Sequence, residues 1–148
     1  MITVKNSKFE ELYKFSTINM QSHVNNFLTI KSLETHQQEF QNESNLFLSI
    51  FSASGKLAGY LILVKEKYTN TVQIKRILIS ENHLGIGQSA ISAMENYCIT
   101  KLKTKKIWLD VFKNNNKAIH IYEKLGYTTF KHSVENSREV VFYEKTLK

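Results

Sequence analysis

Two short stretches of the sequence carry residues whose types and spacing could bind an anion and move a proton. In the first, Gly85 and Gly87 follow the apolar stretch "IKRILI", where a strand is expected to give way to a helix. Glycine lets backbone amides approach a ligand closely, and the first amides of a helix favour negative charge. Because many G-x-G motifs only form turns, the stretch indicates an anion site and leaves a turn as the alternative.

The second stretch, "LDVFKNNNKAIHIYEKLGY", places Asn115 and Tyr122 seven positions apart, which is two turns of a helix and therefore one face. Asn115 also stands where a helix N-cap is expected. A tyrosine hydroxyl can protonate a leaving anion, but it can equally lie at the rim of a half-buried aromatic side chain. Both roles stay open for both residues.

The elements that must position these residues can be read from hydrophobic periodicity. Residues 1–5 predict a first strand, and residues 8–41 predict two helices, joined by a loop near Ser16–Asn19 and including Val24, Phe27 and Leu28. Three strands, a helix with a buried face through Cys98, a strand, a helix ending at Gly126 and two more strands follow. The order predicts a single α/β domain over residues 1–148, with a mixed, mostly antiparallel central sheet of about seven strands and about four helices.

Composition narrows the class of protein but not its partner. The chain has 148 residues, a formal net charge of +7 and one cysteine, Cys98, which excludes an internal disulfide. We expect a cytoplasmic protein with no membrane span and no secretory signal. The charge alone motivates a nucleic-acid-binding alternative, but no surface stacking pattern of aromatic residues supports it. The five histidines are dispersed, so no metal site is expected, and most should be solvated or capping residues.

The two stretches together resemble the GNAT superfamily of acetyl-CoA-dependent N-acetyltransferases. "NHLGIG" stands where the family has its phosphate loop, and Asn115, Ala118, Tyr122 and the Gly126–Tyr127 pair match the spacing of its second motif. The resemblance covers residues 47–148 and implies an acyl-CoA N-acyltransferase-like fold. Asn82 and His83 depart from the residues usual at these loop positions, which puts part of the phosphate affinity in doubt.

The resemblance implies which residues hold acetyl-CoA. The amides of residues 83–89 would bind its pyrophosphate, the strand at residues 77–79 would pair with the pantetheine arm, and Asn115 would contact the cofactor. One amide of that strand would also polarise the thioester carbonyl. The cofactor residues so implied are Ile77, Leu78, Ile79, His83, Leu84, Gly85, Ile86, Gly87, Gln88, Ser89, Asn115 and Tyr122.

The resemblance also implies the catalytic residues. Tyr122 matches the tyrosine that returns a proton to the departing thiolate. Asp110 matches the base of the ribosomal-protein alanine acetyltransferase branch, while a strand-edge aspartate bonded to the backbone is the alternative. Gln73 stands where several subgroups carry a catalytic glutamate, and a glutamine cannot accept that proton. A water chain would serve if Asp110 does not.

The predicted function is direct acetyl transfer from acetyl-CoA to a primary amine, without a metal. The acceptor is left open between a protein N-terminus, an amino acid and a small amine, and a monomer or homodimer is expected. The family's acceptor pocket is built by the N-terminal helices and by the loop between the last two strands, here near residues 131–138. The alternative is a regulatory module that binds acetyl-CoA without turnover.

Overall fold

The computed structural model describes residues 1–21 and 32–147, which form a seven-stranded sheet with four α-helices. The strands are β1 Thr3–Asn6, β2 Asn45–Phe51, β3 Leu57–Lys65, β4 Thr71–Ile79, β5 Lys106–Phe112, β6 Thr128–Glu135 and β7 Arg138–Thr146. The α-helices are α1 Leu12–Asn19, α2 Leu33–Phe40, α3 Gly87–Tyr97 and α4 Asn116–Lys124. Short 3-10 helices cover Phe9–Glu11 and Glu81–His83, and a π-helical turn at Cys98–Leu102 extends α3.

The strand order β1-β2-β3-β4-β5-β7-β6 confirms the predicted mixed, mostly antiparallel sheet. β4 and β5 are the one parallel pair among the described strands, and α3 connects them. Every other pair is antiparallel. Since β4 is the central strand in this order, the β4–α3–β5 crossover lies in the middle of the sheet. Such a crossover places the start of its helix at the carboxyl end of the first strand.

An irregularity in β4 opens the sheet at this crossover. Ile62 of β3 pairs with Arg76 while Leu63 pairs with Ile74, so Lys75 is an extra residue in β4. The parallel ladder with β5 ends just before it, at Gln73. A bulge bends its strand and increases the local twist, which accounts for the separation of β4 from β5 beyond this point.

The two faces of the sheet carry separate apolar clusters. α3 and α4 pack on one face, where Ile91, Met94 and Tyr122 contact strand residues such as Leu109. α1 packs on the other face, where Leu12 and Phe15 contact β2, β3 and β4 residues. We refer to these as the α3/α4 face and the α1/α2 face.

Two sequence-based expectations about loops are wrong. The predicted loop at Ser16–Asn19 lies inside α1, because Ser16 Oγ and Thr17 Oγ1 both donate to the Tyr13 carbonyl and so remain compatible with the helix. The predicted loop at 131–138 is instead the end of β6 and a two-residue turn to β7. Asn136 and Ser137 have φ values of 49° and 65°, as the favoured two-residue hairpin turn requires. Val24, Phe27 and Leu28, expected on a helix, lie outside the described residues.

Candidate active site

A cleft of about 960 Å³ lies where β4 and β5 part. β4 lines one wall from Ile74 to Ile79, and β5 lines the other from Leu109 to Phe112. Leu84, Gly85 and Gly87 before and at the start of α3, residues of α4, and the β6–β7 hairpin complete it. The cleft thus brings together most of the residues that the sequence singled out.

The backbone at the start of α3 is shaped for close approach. Gly85 has φ +104°, which residues with a side chain rarely adopt, and the space where its Cβ would lie is open. At Gly87 a Cβ would meet only Ile121 Cδ1 at 3.6 Å, so packing does not require glycine there. No side chain caps the helix at Ile86. The first amides of α3 are therefore available to an anion.

The other predicted loop residues lie around this helix start without all reaching the cleft. Leu84 lines it, whereas the side chains of His83, Ile86, Gln88 and Ser89 do not. His83 belongs to the 3-10 helix Glu81–His83, and its Nδ1 lies 2.8 Å from Ser80 Oγ. Since the role expected of these four residues is played by backbone amides, that role stays a prediction.

The strand segment Ile77–Ile79 lines the cleft. Ile77 and Leu78 pair with β3 on one side, and no described strand pairs with them on the other, because the ladder with β5 stops at Gln73. Backbone groups on that side point into the opening. An extended ligand can form backbone hydrogen bonds with this edge of β4, as an additional strand would.

Asn115 is the N-cap of α4, which was one of the two roles that the sequence left open for it. Its side-chain Oδ1 accepts a hydrogen bond from the Ala118 amide at 3.3 Å and so caps α4. The residue also lines the cleft. Because the cap uses only the carbonyl oxygen of the side chain, the structure is compatible with an additional ligand contact through the amide group.

Tyr122 is 5% exposed and lines the cleft, and its hydroxyl forms no hydrogen bond to a residue within the described ranges. It lies on the buried side of α4 against Tyr127, with ring centroids 5.5 Å apart. Burial alone raises the pKa of Tyr122 well above its ordinary value. The hydroxyl therefore stays protonated at neutral pH and can donate a proton into the cleft.

Asp110 approaches the cleft from the opposite face. Its β5 neighbour Leu109 packs in the α3/α4 cluster, so the alternation of a strand directs Asp110 toward the α1/α2 face. Desolvation, and secondly the negative charge of Glu135, raises the pKa of Asp110, while a hydrogen bond from its own backbone opposes the shift. A carboxylate whose pKa is raised is a stronger base than an ordinary aspartate.

Gln73 does not line the cleft. It pairs with Trp108 in the last step of the parallel ladder, before the bulge. The position where some subgroups carry a glutamate is therefore at the closed end of the opening in this chain. The carboxylate in the cleft comes from Asp110 on β5 and not from position 73 on β4.

A buried polar network holds another cleft residue that sequence reasoning missed. Arg76, 5% exposed, donates to Asn19 Oδ1, and Asn19 Nδ2 donates to the Tyr60 hydroxyl at 2.5 Å. That hydroxyl lies 2.7 Å from His36 Nε2 on α2. The network fixes α1 and α2 against the β4 wall. His36 is thus fully buried, an exception to the solvated or capping position that the sequence predicts for most of the histidines.

The β6–β7 hairpin also contributes cleft residues, which lie in the range 131–138 that the resemblance gave to the acceptor pocket but which were not named individually. Glu135, Asn136 and Arg138 line the cleft, and the Arg138 guanidinium lies 3.6 Å from the ring centroid of Phe112. Lys117, in the first turn of α4, is a further cationic lining residue. The dipeptide Asn136–Ser137 was the available signal, since both residue types are common in turns.

The remaining candidate groups are structural. Cys98 is fully buried, and desolvation raises the pKa of its thiol to about 11, as expected for a core residue and not a nucleophile. Within residues 1–21 and 32–147, no group of three or more His, Cys, Asp or Glu side chains could hold a metal ion. No helix in those ranges is long and apolar enough to cross a membrane.

In this chain a bulge opens a mixed sheet between two parallel strands, and a helix begins at the opening. These features are typical of the acyl-CoA N-acyltransferase fold. The family model described as "Acetyltransferase (GNAT) family" matches residues 10–127. The chain belongs to this family, and the predicted family is confirmed.

Two relatives are spermidine N(1)-acetyltransferases. The protein of Vibrio cholerae serotype O1 is 28% identical over 104 residues, which cover 69% of this chain. The protein of Escherichia coli K12 is 37% identical over 82 residues, which cover 53% of this chain. The chain spans 60% of the length of the first relative and 44% of the second.

Solved structures agree in fold. Spermidine N-acetyltransferase from Vibrio cholerae in complex with CoA and spermine superposes with a TM-score of 0.85 at 20% identity, covering 98% of this chain and 95% of that one. A dodecameric structure of that enzyme gives a TM-score of 0.79 at 20% identity, covering 98% and 93%. The acyl-CoA N-acyltransferase-like fold is thereby confirmed.

Proposed function

We propose that this chain transfers the acetyl group of acetyl-CoA to a primary amine of a small molecule, with polyamines as the acceptor class. One observation carries the proposal. A single cleft at the β4 bulge joins an uncapped helix start, an edge of β4 without a strand partner, a buried protonated tyrosine and a carboxylate. These groups are suited to an acidic cofactor, an extended arm and a proton transfer.

The described residues fit coenzyme A. The amides at Gly87 and the two following residues, with the dipole of α3, suit a pyrophosphate. Ile77 and Ile79 give the β4 wall an apolar surface beside its backbone groups, which suits the pantetheine arm. Lys117 adds a positive charge at the start of α4. The role of each of these residues is part of the proposal.

Bound acetyl-CoA supplies the acetyl group as a thioester. An alkyl amine is mostly protonated at neutral pH, so it loses one proton to solvent before it attacks. Asp110 takes a second proton from the nitrogen, directly or through water, as the C–N bond forms and the C–S bond breaks. An amide of β4 donates to the carbonyl oxygen where negative charge develops. Tyr122 gives its proton to the departing sulfur, and solvent restores both groups.

The acceptor class follows from the relatives and from charge. The relatives that match this chain are named for spermidine. The carboxylates of Asp110 and Glu135 line the cleft, and neither forms an ion pair with a lysine or arginine within the described ranges. These carboxylates favour a polycation over the other acceptors left open by the sequence, a protein N-terminus or an amino acid.

The alternative of a regulatory module that binds acetyl-CoA without turnover receives no support from the relatives. Asp110 supplies the carboxylate that position 73 lacks.

The oligomeric state and the cellular location stay predictions. One structural neighbour is dodecameric, whereas the sequence suggested a monomer or homodimer. Sedimentation velocity of the purified chain distinguishes these states.

Incubation of the purified protein with acetyl-CoA and spermidine tests the proposal. Release of free coenzyme A thiol, together with a product heavier by one acetyl group, is the expected result. Binding of acetyl-CoA without acetylation of spermidine, a monoamine, an amino acid or a peptide N-terminus would contradict the proposal. It would support the alternative of a regulatory module that binds acetyl-CoA without turnover.

A further inference from the structure

Glu135 stands apart from the predicted catalytic residues but faces the same cleft. In the β5–β7 ladder Asp110 pairs with Phe142, and in the β6–β7 ladder Glu135 pairs with Arg138. Counting by twos along β7 from Phe142 to Arg138 places Asp110 and Glu135 on the same face of the sheet. That face is opposite to the one on which Tyr122 packs.

The two carboxylates are close enough for Glu135 to raise the pKa of Asp110. The neighbouring cations have other contacts: Arg138 lies over the Phe112 ring, Lys75 pairs with Glu39 at 2.9 Å, and Arg76 donates to Asn19. Glu135 has no ion-pair partner among the residues that the structure describes.

A second observation links these carboxylates to a ligand. The Tyr122 side chain is 95% buried from solvent, lines the same cleft, and has no hydrogen-bond partner in the described parts of the chain. Its hydroxyl has no partner in these parts of the protein and is not among their enclosed unpartnered atoms, so it is open to the cleft and free to donate to a bound molecule. The reacting amine therefore belongs between Tyr122 and Asp110, and Glu135 lies on the acceptor face beyond them.

We infer that Glu135 binds a second ammonium group of the acceptor and so makes the enzyme select diamines and polyamines over monoamines. This inference rests on the proposed function. Glu135 is a specificity residue in it and takes no part in the proton transfers. The two-residue turn at Asn136–Ser137 follows Glu135 directly, so Glu135 is the last residue of β6 and lies on the same face of the sheet as Asp110.

Matched amines test this assignment. Butylamine and 1,4-diaminobutane share the reacting group and the chain length, and they differ in the second cation. Glu135→Gln should raise the ratio of KM for the diamine to KM for butylamine about fivefold, the size expected of an ion pair partly screened by solvent. The ratio of the two kcat values should stay within twofold, since any change in the base affects both amines alike.

Glu139→Gln is the control, because it removes the same charge from the same hairpin. Glu139 is exposed, lies 3.7 Å from Lys113, and does not line the cleft. Its variant should leave both KM values unchanged. Equal changes with both amines in Glu135→Gln, no change at all, or the same shift in Glu139→Gln would each overturn the inference.

Failure of the proposed function gives a different pattern. In that case the wild-type protein acetylates neither amine. Acetyl-CoA affinity and thermal melting of both variants, measured alongside, show that each is folded, since both replaced side chains are exposed.

Discussion

The two faces of the sheet contribute unlike chemistry to the one cleft. From the α3/α4 face come the amides at the start of α3, the capped start of α4 and the buried hydroxyl of Tyr122. From the α1/α2 face come Asp110, Glu135 and the network-held Arg76. The first set is neutral or positive and suits an acidic cofactor, whereas the second carries the carboxylates that suit a cationic amine.

Under the proposed function, this difference would separate the two substrates by charge. The helix starts favour an anion, and Asp110 and Glu135 favour a cation, so each substrate would be guided to its own side. The proposed acid, Tyr122, and the proposed base, Asp110, lie on opposite faces across the opening between β4 and β5. Variants on the α3/α4 face should affect the cofactor or the leaving group, and those on the α1/α2 face should affect the amine.

The largest effect is expected for Tyr122→Phe. Loss of the general acid should lower kcat about 100-fold, with acetyl-CoA affinity unchanged. Steady-state kinetics and calorimetry measure the two quantities. Tyr127→Phe is the control, since Tyr127 is also buried but its hydroxyl donates to Glu95 at 2.7 Å. A kcat within twofold of wild type for Tyr122→Phe would show that Tyr122 is not the general acid.

Asp110→Asn should lower kcat/KM at neutral pH about 30-fold, because water replaces the base. In the wild type the acting form is the carboxylate, so activity falls as pH falls through the raised pKa of Asp110. That acid limb should be absent in Asp110→Asn. In Glu135→Gln it should move to lower pH, since the neighbouring negative charge is gone. An acid limb that persists unchanged in Asp110→Asn would assign the base elsewhere.

Gly85→Ala should weaken acetyl-CoA binding about tenfold, because a side chain at a positive φ forces the loop out of shape. Gly55→Ala is a matched control: Gly55 has φ +84° and, like Gly85, open space around its Cβ position. Both variants should lose similar thermal stability, but only Gly85→Ala should lose affinity. An equal loss of affinity in both would show that the effect is general destabilisation.

The smallest effect is expected for Asn115→Asp, which separates the two roles of this residue. Aspartate caps a helix as well as asparagine does, so melting temperature should be retained. Replacing the amide by a negative charge should weaken acetyl-CoA binding about threefold. An unchanged affinity would leave Asn115 as a cap alone.

The glycine loop and the Asn115–Tyr122 spacing could be predicted because their geometry is local. A helix start after a strand is encoded by neighbouring residues, and a seven-residue spacing on one helix does not depend on the rest of the fold. The order of the elements along the chain predicted the mixed sheet, because a helical crossover joins parallel strands and short turns join antiparallel ones. Even the burial of Cys98 followed from the periodicity of its own helix.

Glu135, Arg76 and His36 could not be found in this way. Glu135 reaches the cleft only because β7 lies between β5 and β6, so that a hairpin near the end of the chain faces Asp110. Arg76 changes face because of one extra residue, Lys75, in β4. His36 is buried by partners on α1 and β3. Each depends on long-range pairing, which residue types alone do not specify.

Calorimetric titration of acetyl-CoA into the wild type, Gly87→Asn and Gly87→Asp tests most directly whether the cofactor binds at the helix start. A Cβ is tolerated at Gly87, and an acidic residue at the first position stabilises a helix, so both variants should fold. We expect binding by the wild type, weaker binding by Gly87→Asn and none by Gly87→Asp, whose carboxylate repels the pyrophosphate. Absence of binding by the wild type, or equal affinity in all three proteins, would contradict it.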